Sequence, residues 1–260
     1  MKIRHFLVLG LLVAGGGCQT VPGTGRSQLL LTSEADEAQM GAQAYSEILK
    51  KERQSQDAQL NAMVSRVGWA IARATENKDF KWEFKVIDNP KVANAFCLPG
   101  GKVAVYTGIL PITRDEAGLA AVMGHEVAHA IARHGGERVS QQSLVKTGLS
   151  VAQVLLGGDP QTGQTITSLL GAGAAVGLIL PFSRKHESEA DHLGLIYMAK
   201  AGYDPHAARE LWVRMQKAAA GSERPSEFFS THPSEETRIK QIEEWMPEAM
   251  QHYRAARKRS

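Results

Sequence analysis

The chain has 260 residues, a formal net charge of +3 and a hydrophobic content of 43%. That length and composition are sufficient for one substantial core. Basic residues are dispersed except in a short tail at residues 251–260, so we expect no nucleic-acid partner. The only two cysteines, Cys18 and Cys97, exclude a disulfide framework and a cysteine-rich metal site.

Residues 1–17 have the pattern of a secretory signal, with a basic start, a short apolar run and then small residues. The apolar run is too short to span a bilayer. Cys18 follows this segment directly, which predicts a bacterial lipoprotein whose lipid is attached to that cysteine. Cleavage at an ordinary small-residue site is the alternative. On the lipoprotein interpretation, residues 18–33 are a linker from the anchor to the folded domain.

The remaining pattern predicts a mainly helical α+β domain over residues 34–250. Ser33 is expected to cap the first helix, and apolar residues at 3.6-residue spacing predict a second helix over 57–75. The alternating stretch "FKWEFKVID" and a turn at residues 99–101 then predict a small antiparallel sheet.

Several packed helices follow the sheet. Thr113 and Glu116 have the spacing of a capping box at the start of one of them. Residues 160–183 carry no charge and predict a buried helix or a cover over an active site, with a membrane-embedded helix as the alternative.

The helix that begins near Glu116 contains "HEVAH", a match to H-E-x-x-H. His125 and His129 lie one turn apart on one face, so both imidazoles can reach a single ion, and zinc suits imidazole nitrogen. Glu126 can hold and deprotonate the water that fills the open zinc position. The alternative is an apolar helix that carries two solvated or core-satisfied histidines.

A catalytic zinc site needs a third protein ligand. One variant of the motif supplies it from the same stretch, but that variant requires glycine and histidine where this chain has Ala132 and Gly135. His134 is therefore predicted to be a solvated histidine near a helix end.

A later glutamate in an E-x-x-x-D pattern is the other common solution. "HESEAD" supplies Glu187 as the ligand and Asp191 as a hydrogen-bond partner that orients a ligand histidine, with Glu189 on another face. A charge-rich surface helix is the alternative.

The segments "NAFCLPGGKVAVYTG", "HEVAHAIARHGGERVS", "SRKHESEADHLG" and "STHPSEETRI" occur in one order over roughly residues 35–245. In that order they resemble the zinc peptidase family of the CAAX prenyl endopeptidases and HtpX, above all its periplasmic branch of LoiP, YcaL and BepA. The resemblance implies an HExxH-type zincin (gluzincin) peptidase domain that binds one Zn²⁺ per chain.

The resemblance also implies roles for further residues. His232 would stabilise the oxyanion or bind zinc as a fourth ligand in a resting state, and Arg238 would face the zinc. Asn94 and the strand from Lys102 to Tyr106, with Val103 and Val105, would hold an extended substrate.

These observations predict a zinc-dependent endopeptidase of misfolded or misassembled cell-envelope proteins. It would act in the bacterial periplasm, bound to the outer membrane through lipid on Cys18, with the outer-membrane assembly machinery as a candidate partner. A zinc-containing chaperone or assembly factor with little proteolysis is the alternative.

Overall fold

The computed structural model describes residues 17–155, 182–220, 227–232 and 237–258 of the chain. The fold is mainly helical, as predicted, and has two small sheets where the sequence predicts one. The helices are α1 (Glu34–Lys51), α2 (Ala58–Ala74), α3 (Leu110–Thr113), α4 (Glu116–Ile131), α5 (His134–Leu155), α6 (Arg184–Lys200), α7 (His206–Ala220), α8 (Glu227–Thr231) and α9 (Thr237–Arg257). The strands are β1 (Gly17–Thr20), β2 (Ser27–Leu30), β3 (Glu83–Ile87), β4 (Ala95–Leu98) and β5 (Lys102–Tyr106), and a 3₁₀ turn at Thr107–Ile109 precedes α3.

The larger sheet has the strand order β3-β5-β4. Strands β4 and β5 form the predicted antiparallel hairpin, in which Cys97 pairs with Val103. Strand β3 lies parallel to β5, however, so this sheet is mixed rather than wholly antiparallel. After β3 the chain forms β4 and then returns as β5, which lies between the other two strands. Strand β5 is therefore central, and β4 lies at an edge of the sheet.

The expected linker at residues 18–33 contains an antiparallel hairpin of β1 and β2. The side chains of Val21 and Leu30 are each 1% exposed, because they pack into the body of the protein. Arg26, in the turn of the hairpin, forms ion pairs with Glu137 of α5 and Glu189 of α6. The hairpin is thus bound to the domain by apolar packing and buried charge rather than extending away from it.

Helix α4 is the central element and packs against α2, α6 and α7. Its N-cap is Asp115, whose side chain accepts a hydrogen bond of 2.8 Å from the backbone N–H of Gly118. The predicted capping box at Thr113 is therefore wrong. Thr113 is the last residue of α3, where its hydroxyl donates to the carbonyl of Leu110 instead.

Two glycines set the distance between α4 and α6. A Cβ on Gly124 would lie 2.8 Å from the carbonyl oxygen of Gly194, and a Cβ on Gly194 would lie 2.7 Å from the backbone nitrogen of His125. Such distances are closer than real Cβ atoms come, so only glycine allows the two backbones to approach this far. This contact brings the H-E-x-x-H and E-x-x-x-D segments side by side.

The uncharged stretch at residues 160–183 lies, up to residue 181, outside the described part of the chain. The predictions for this stretch, a buried helix, an active-site cover or a membrane-embedded helix, therefore stay predictions. Among the residues that are described, no helix is both long enough and apolar enough to cross a membrane.

Candidate metal centre

Four buried side chains converge at the crossing of α4 and α6. They are His125 and His129 of α4, Glu187 of α6 and His232, which directly follows α8, and their ligand atoms all lie within 4.8 Å of one another. Nε2 of His129 is 3.1 Å from Nε2 of His125 and 3.3 Å from a carboxylate oxygen of Glu187. A tetrahedral zinc ion with bonds of about 2.0–2.1 Å separates its ligands by about 3.3 Å, so the cluster has the right size.

The charge states of the cluster also suit a cation. Burial raises the pKa of Glu187, but the histidines around it outweigh burial and hold that pKa well below the usual carboxyl range. Burial lowers the pKa of His129 well below its ordinary value, which keeps its ring neutral. An ionised carboxylate and a neutral imidazole are the forms that bind metal. The donor set therefore fits zinc.

Asp191 supports the ligand His125 from behind. Its carboxylate accepts a hydrogen bond of 2.9 Å from Nδ1 of His125, which leaves Nε2 to point into the cluster. Burial lowers the pKa of His125, but hydrogen bonds to Asp191 and Glu187 prevail and raise it to about 9. The environment thus favours positive charge at this ring, and a metal ion competes with the proton for it. The hydrogen bond to a ligand histidine that the sequence predicts for Asp191 is therefore present.

Arg238 lies behind the ligands and does not line the cleft described below. Its guanidinium pairs with Glu187 at 2.8 Å, forms a fork with Asp191 and lies 3.5 Å above the ring of Trp212. The implied catalytic role for Arg238 is therefore corrected. A side chain that is 4% exposed and engaged by two carboxylates is placed to hold the site together rather than to touch substrate.

Glu126 points into the site from the helix that carries two of the ligands. Its Oε1 has no hydrogen-bond partner among the described residues and lies 3.3 Å from Nε2 of His232. Burial raises its pKa, the direction that suits a general base working near neutral pH. Nδ1 of His232 lies 2.9 Å from Glu187, so this ring contacts both the cluster and the base.

A cleft of about 340 Å³ opens beside the cluster. Glu126, His129 and His232 form its floor, residues 94–99 one wall and the face of α1 around Ile48 another. Asn94 lies at the start of this wall, and its implied contact with substrate stays a prediction. Strand β4 borders the cleft because β5 covers only one of its sides.

Val103 and Val105, expected to contact substrate, do not reach the cleft. They lie on the central strand β5 and are 1% and 0% exposed, in contact with the hydrophobic core. The strand of this hairpin that borders the cleft is β4. Alternating apolar residues indicate a strand and do not indicate which neighbour that strand has.

His134 is likewise not a solvated histidine, since its side chain is fully buried. Helix α4 ends at Ile131, and Arg133 takes up a left-handed conformation with φ of 56°. The chain turns there, so that His134 comes back against His129 instead of continuing away from it. Counting residues along one uninterrupted helix therefore cannot predict the contact between His134 and His129.

Three aromatic residues pack against the histidines of the metal centre, and no motif in the sequence indicates this role. Phe182 stacks on His129 with ring centroids 3.8 Å apart, Phe228 stacks on His232 at 4.4 Å, and Trp212 packs edge-on against His125. From sequence alone, they cannot be told from ordinary core residues. They exclude water from the sides of the ligand rings, which strengthens electrostatic interactions at the centre.

Cys18, the predicted lipidation site, lies in β1 opposite Leu29 and is exposed. Nothing in the fold bears on whether it carries lipid, and its lipidation stays a prediction.

The chain is similar to several curated proteases. It is 41% identical over 255 residues to the mitochondrial metalloendopeptidase OMA1 of Schizosaccharomyces pombe, covering 95% of this chain and 73% of that protein. It is 30% identical to the human mitochondrial OMA1 over 88% of this chain and 46% of the human protein. The beta-barrel assembly-enhancing protease of Escherichia coli is 28% identical over 85% of this chain and 46% of that protein. The chain thus spans less than half the length of the last two.

These relatives contradict the expected location in a bacterial periplasm on the outer membrane. OMA1 proteins of fission yeast, plant, budding yeast and vertebrates are named as mitochondrial, and the bacterial assembly-enhancing protease is a more distant match. The finer assignment to the periplasmic branch of LoiP and YcaL is not supported either. A basic start followed by a short apolar run indicates an export or targeting segment, and this pattern does not specify the membrane.

The family-level prediction is confirmed. The sequence profile of Peptidase family M48 matches residues 54–246, a span that contains the H-E-x-x-H motif, Glu187 and His232. This span covers most of the chain and all the residues that converge on the metal centre. The chain therefore belongs to peptidase family M48, a family of zinc metallopeptidases.

Proposed function

We propose that the protein is an endopeptidase of unfolded or misassembled proteins, with Glu126 as its general base. The observation that carries this proposal is the position of the buried Glu126 carboxylate, whose Oε1 accepts no hydrogen bond from any described residue. It lies between the ligand cluster and a cleft whose wall is a sheet edge. A peptide segment laid along β4 would lie in the same cleft as this carboxylate.

Zinc, when bound, supplies a Lewis acid for the peptide carbonyl and lowers the pKa of water. Glu126 takes the proton from the attacking water and delivers it to the amine that leaves. Phe182 and Phe228 keep bulk water away from the ligand rings. Asp191 holds the ring of His125 so that its Nε2 stays directed at the metal.

Strand β4 supports a substrate in extended conformation. Strand addition uses the backbone groups of the substrate and needs little from its side chains, so any unfolded segment can bind. A folded protein offers few such segments, because most of its backbone groups are already paired. The geometry thus favours unfolded substrates without a strict sequence preference.

Degradation of an unfolded protein tests the proposal. The purified protein should degrade casein, and Glu126→Gln should abolish this while the zinc content stays at one ion per chain. If the wild type were inactive toward unfolded proteins across a range of pH with zinc bound, the chaperone alternative would replace the peptidase. Loss of zinc in Glu126→Gln would contradict the assignment of this residue as base rather than as part of the ligand shell.

His232 supports a further proposal, that it restrains the enzyme in the resting state. Its Nδ1 lies 3.2 Å from Nε2 of His125 and would serve as a fourth ligand to bound zinc, and its Nε2 lies 3.3 Å from Glu126. In this position the ring would take the place of the water on bound zinc, and it already contacts the base. His232→Ala should therefore raise the rate of casein degradation. A lowered rate would indicate the oxyanion role instead, and an unchanged rate would eliminate both.

A further inference from the structure

A second group of buried polar side chains lies behind His129, outside the cleft. It contains His134 and Glu137 of α5 and His186 and Glu189 of α6, and the half-buried Arg26 of the N-terminal hairpin pairs with both glutamates. Burial of so many ionisable groups is costly unless each is hydrogen-bonded, and here all five have partners. None of these residues binds the metal or borders the base, so the site as described does not explain them.

One line of contacts runs from this group to the metal centre. Nδ1 of His134 lies 2.9 Å from Nδ1 of His129, and Nε2 of His134 lies 2.9 Å from a carboxylate oxygen of Glu189. The same oxygen accepts a hydrogen bond of 2.7 Å from Nε of Arg26, and the hydroxyl of Thr24 donates to the other oxygen. The line thus begins at a zinc ligand and ends in the turn of the hairpin.

Only one arrangement of protons satisfies this line once His129 binds metal. Its Nε2 points into the cluster and must offer a lone pair, so its proton lies on Nδ1. That N–H can donate to Nδ1 of His134 only if the proton of His134 lies on Nε2. The Nε2–H of His134 then donates to Glu189, a carboxylate that can only accept. Each hydrogen bond in the line therefore has one direction, and together they fix the orientation of the His129 ring.

The two ligand histidines are thus supported in different ways. His125 donates directly to Asp191, a carboxylate of α6. His129 has no carboxylate behind it among the described residues, and an imidazole is interposed before Glu189 is reached. Carboxylates behind metal-binding histidines hold the ring and increase its basicity, and their loss commonly weakens metal binding about 10–100-fold.

We infer that His134 and Glu189 are positioning residues, which hold the zinc ligand His129 through a two-step hydrogen-bond relay completed by Arg26 of the N-terminal hairpin. This inference rests on the zinc site and is independent of the substrate proposed above. It gives the hairpin a function, because Arg26 and Thr24 fix the carboxylate at the far end of the relay. It also explains why a glutamate that faces away from the metal is buried and fully hydrogen-bonded.

The first test compares two substitutions of His134. His134→Leu fills the space and removes the acceptor for Nδ1–H of His129, so zinc affinity, measured by competition with a chelator, should fall about 10–100-fold. His134→Asn can place its side-chain oxygen near the former Nδ1, so affinity should return to within about threefold of wild type. Equal affinity in His134→Leu and the wild type, or equal loss in both variants, would overturn the inference.

A matched pair of carboxylates separates positioning from folding. Glu189→Leu and Glu137→Leu each remove one buried partner of Arg26, but only Glu189 contacts His134. Both should lower the thermal midpoint of the metal-free protein. Only Glu189→Leu should also reduce the increase in midpoint that a fixed excess of zinc produces, since that increase reports affinity. The same increase in both variants would contradict the relay, and this comparison applies even if His134→Leu does not fold.

Discussion

Replacement of Arg238 by methionine is the most informative single test of how the metal centre is held. Arg238 is 4% exposed and contacts Asp191, Glu187 and the face of Trp212. Methionine keeps the length and most of the volume of the side chain, so the change removes the charge and the hydrogen bonds rather than the packing. Two carboxylates would then lie buried without their principal cation.

The expected cost follows from these contacts. Removal of one member of a buried ion pair costs about 3–5 kcal/mol, because the remaining charge cannot return to water. The cation–π contact with Trp212 adds about 2 kcal/mol when desolvated, although the two losses share one guanidinium and do not add fully. We therefore expect Arg238→Met to lower the free energy of unfolding by about 3–5 kcal/mol in the metal-free protein. With zinc bound the loss should be smaller, since the ion compensates the charge of Glu187.

Urea denaturation with and without a chelator measures both values. Arg209→Met is the matched control, because Arg209 pairs with Glu243 at the surface between α7 and α9. A surface pair of this kind contributes about 0–1 kcal/mol. The reasoning would be refuted if Arg238→Met cost no more than Arg209→Met, or if zinc made no difference to its cost.

Three further changes test separate features. Gly194→Ala places a Cβ 2.7 Å from the backbone of His125, so the free energy of unfolding in urea should fall by about 1–3 kcal/mol and zinc should bind more weakly. Gly135→Ala is the control, because a Cβ there meets open space, and it should not reduce stability. Tyr45→Phe removes the 2.8 Å hydrogen bond from α1 to the carbonyl of Val103 and should cost about 0.5–1.5 kcal/mol in the same assay. Burial raises the pKa of Glu137, but Arg26 and His186 outweigh it and hold the pKa below the ordinary 4.5. Its contribution is therefore complete above pH 4.5 and is lost as pH falls through the lower, folded-state value, so the difference in stability between wild type and Glu137→Gln should shrink on acidification.

The metal ligands could be predicted because their spacing is local. His125 and His129 are one helical turn apart, as are Glu187 and Asp191, and helical periodicity alone places each pair on one face. The joining of the two pairs depends on the close approach at Gly124 and Gly194. A single glycine in a helical pattern does not indicate a packing contact.

Errors arose where the chain changes direction. His134 was placed by counting along one helix, but Arg133 turns the chain through a left-handed conformation that non-glycine residues adopt rarely. The family resemblance implies that the strand of Val103 and Val105 holds substrate, whereas its parallel pairing with β3 makes it the buried central strand of the sheet. Both outcomes depend on contacts between distant segments, which no local pattern encodes.

One turn of α6 supplies most of the support for the metal centre. Glu187 points into the ligand cluster, Asp191 lies behind His125, and Glu189, on the opposite face, holds His134 and through it His129. Three carboxylates within five residues thus serve as one ligand and two supports for rings that both belong to α4. Glu187 and Asp191 act directly across the crossing of α6 with α4, and Glu189 acts through His134 of α5, so a small shift of α6 would disturb all three together. The glycine contact at that crossing and the hairpin that fixes Glu189 therefore bear on zinc binding, although neither touches the metal.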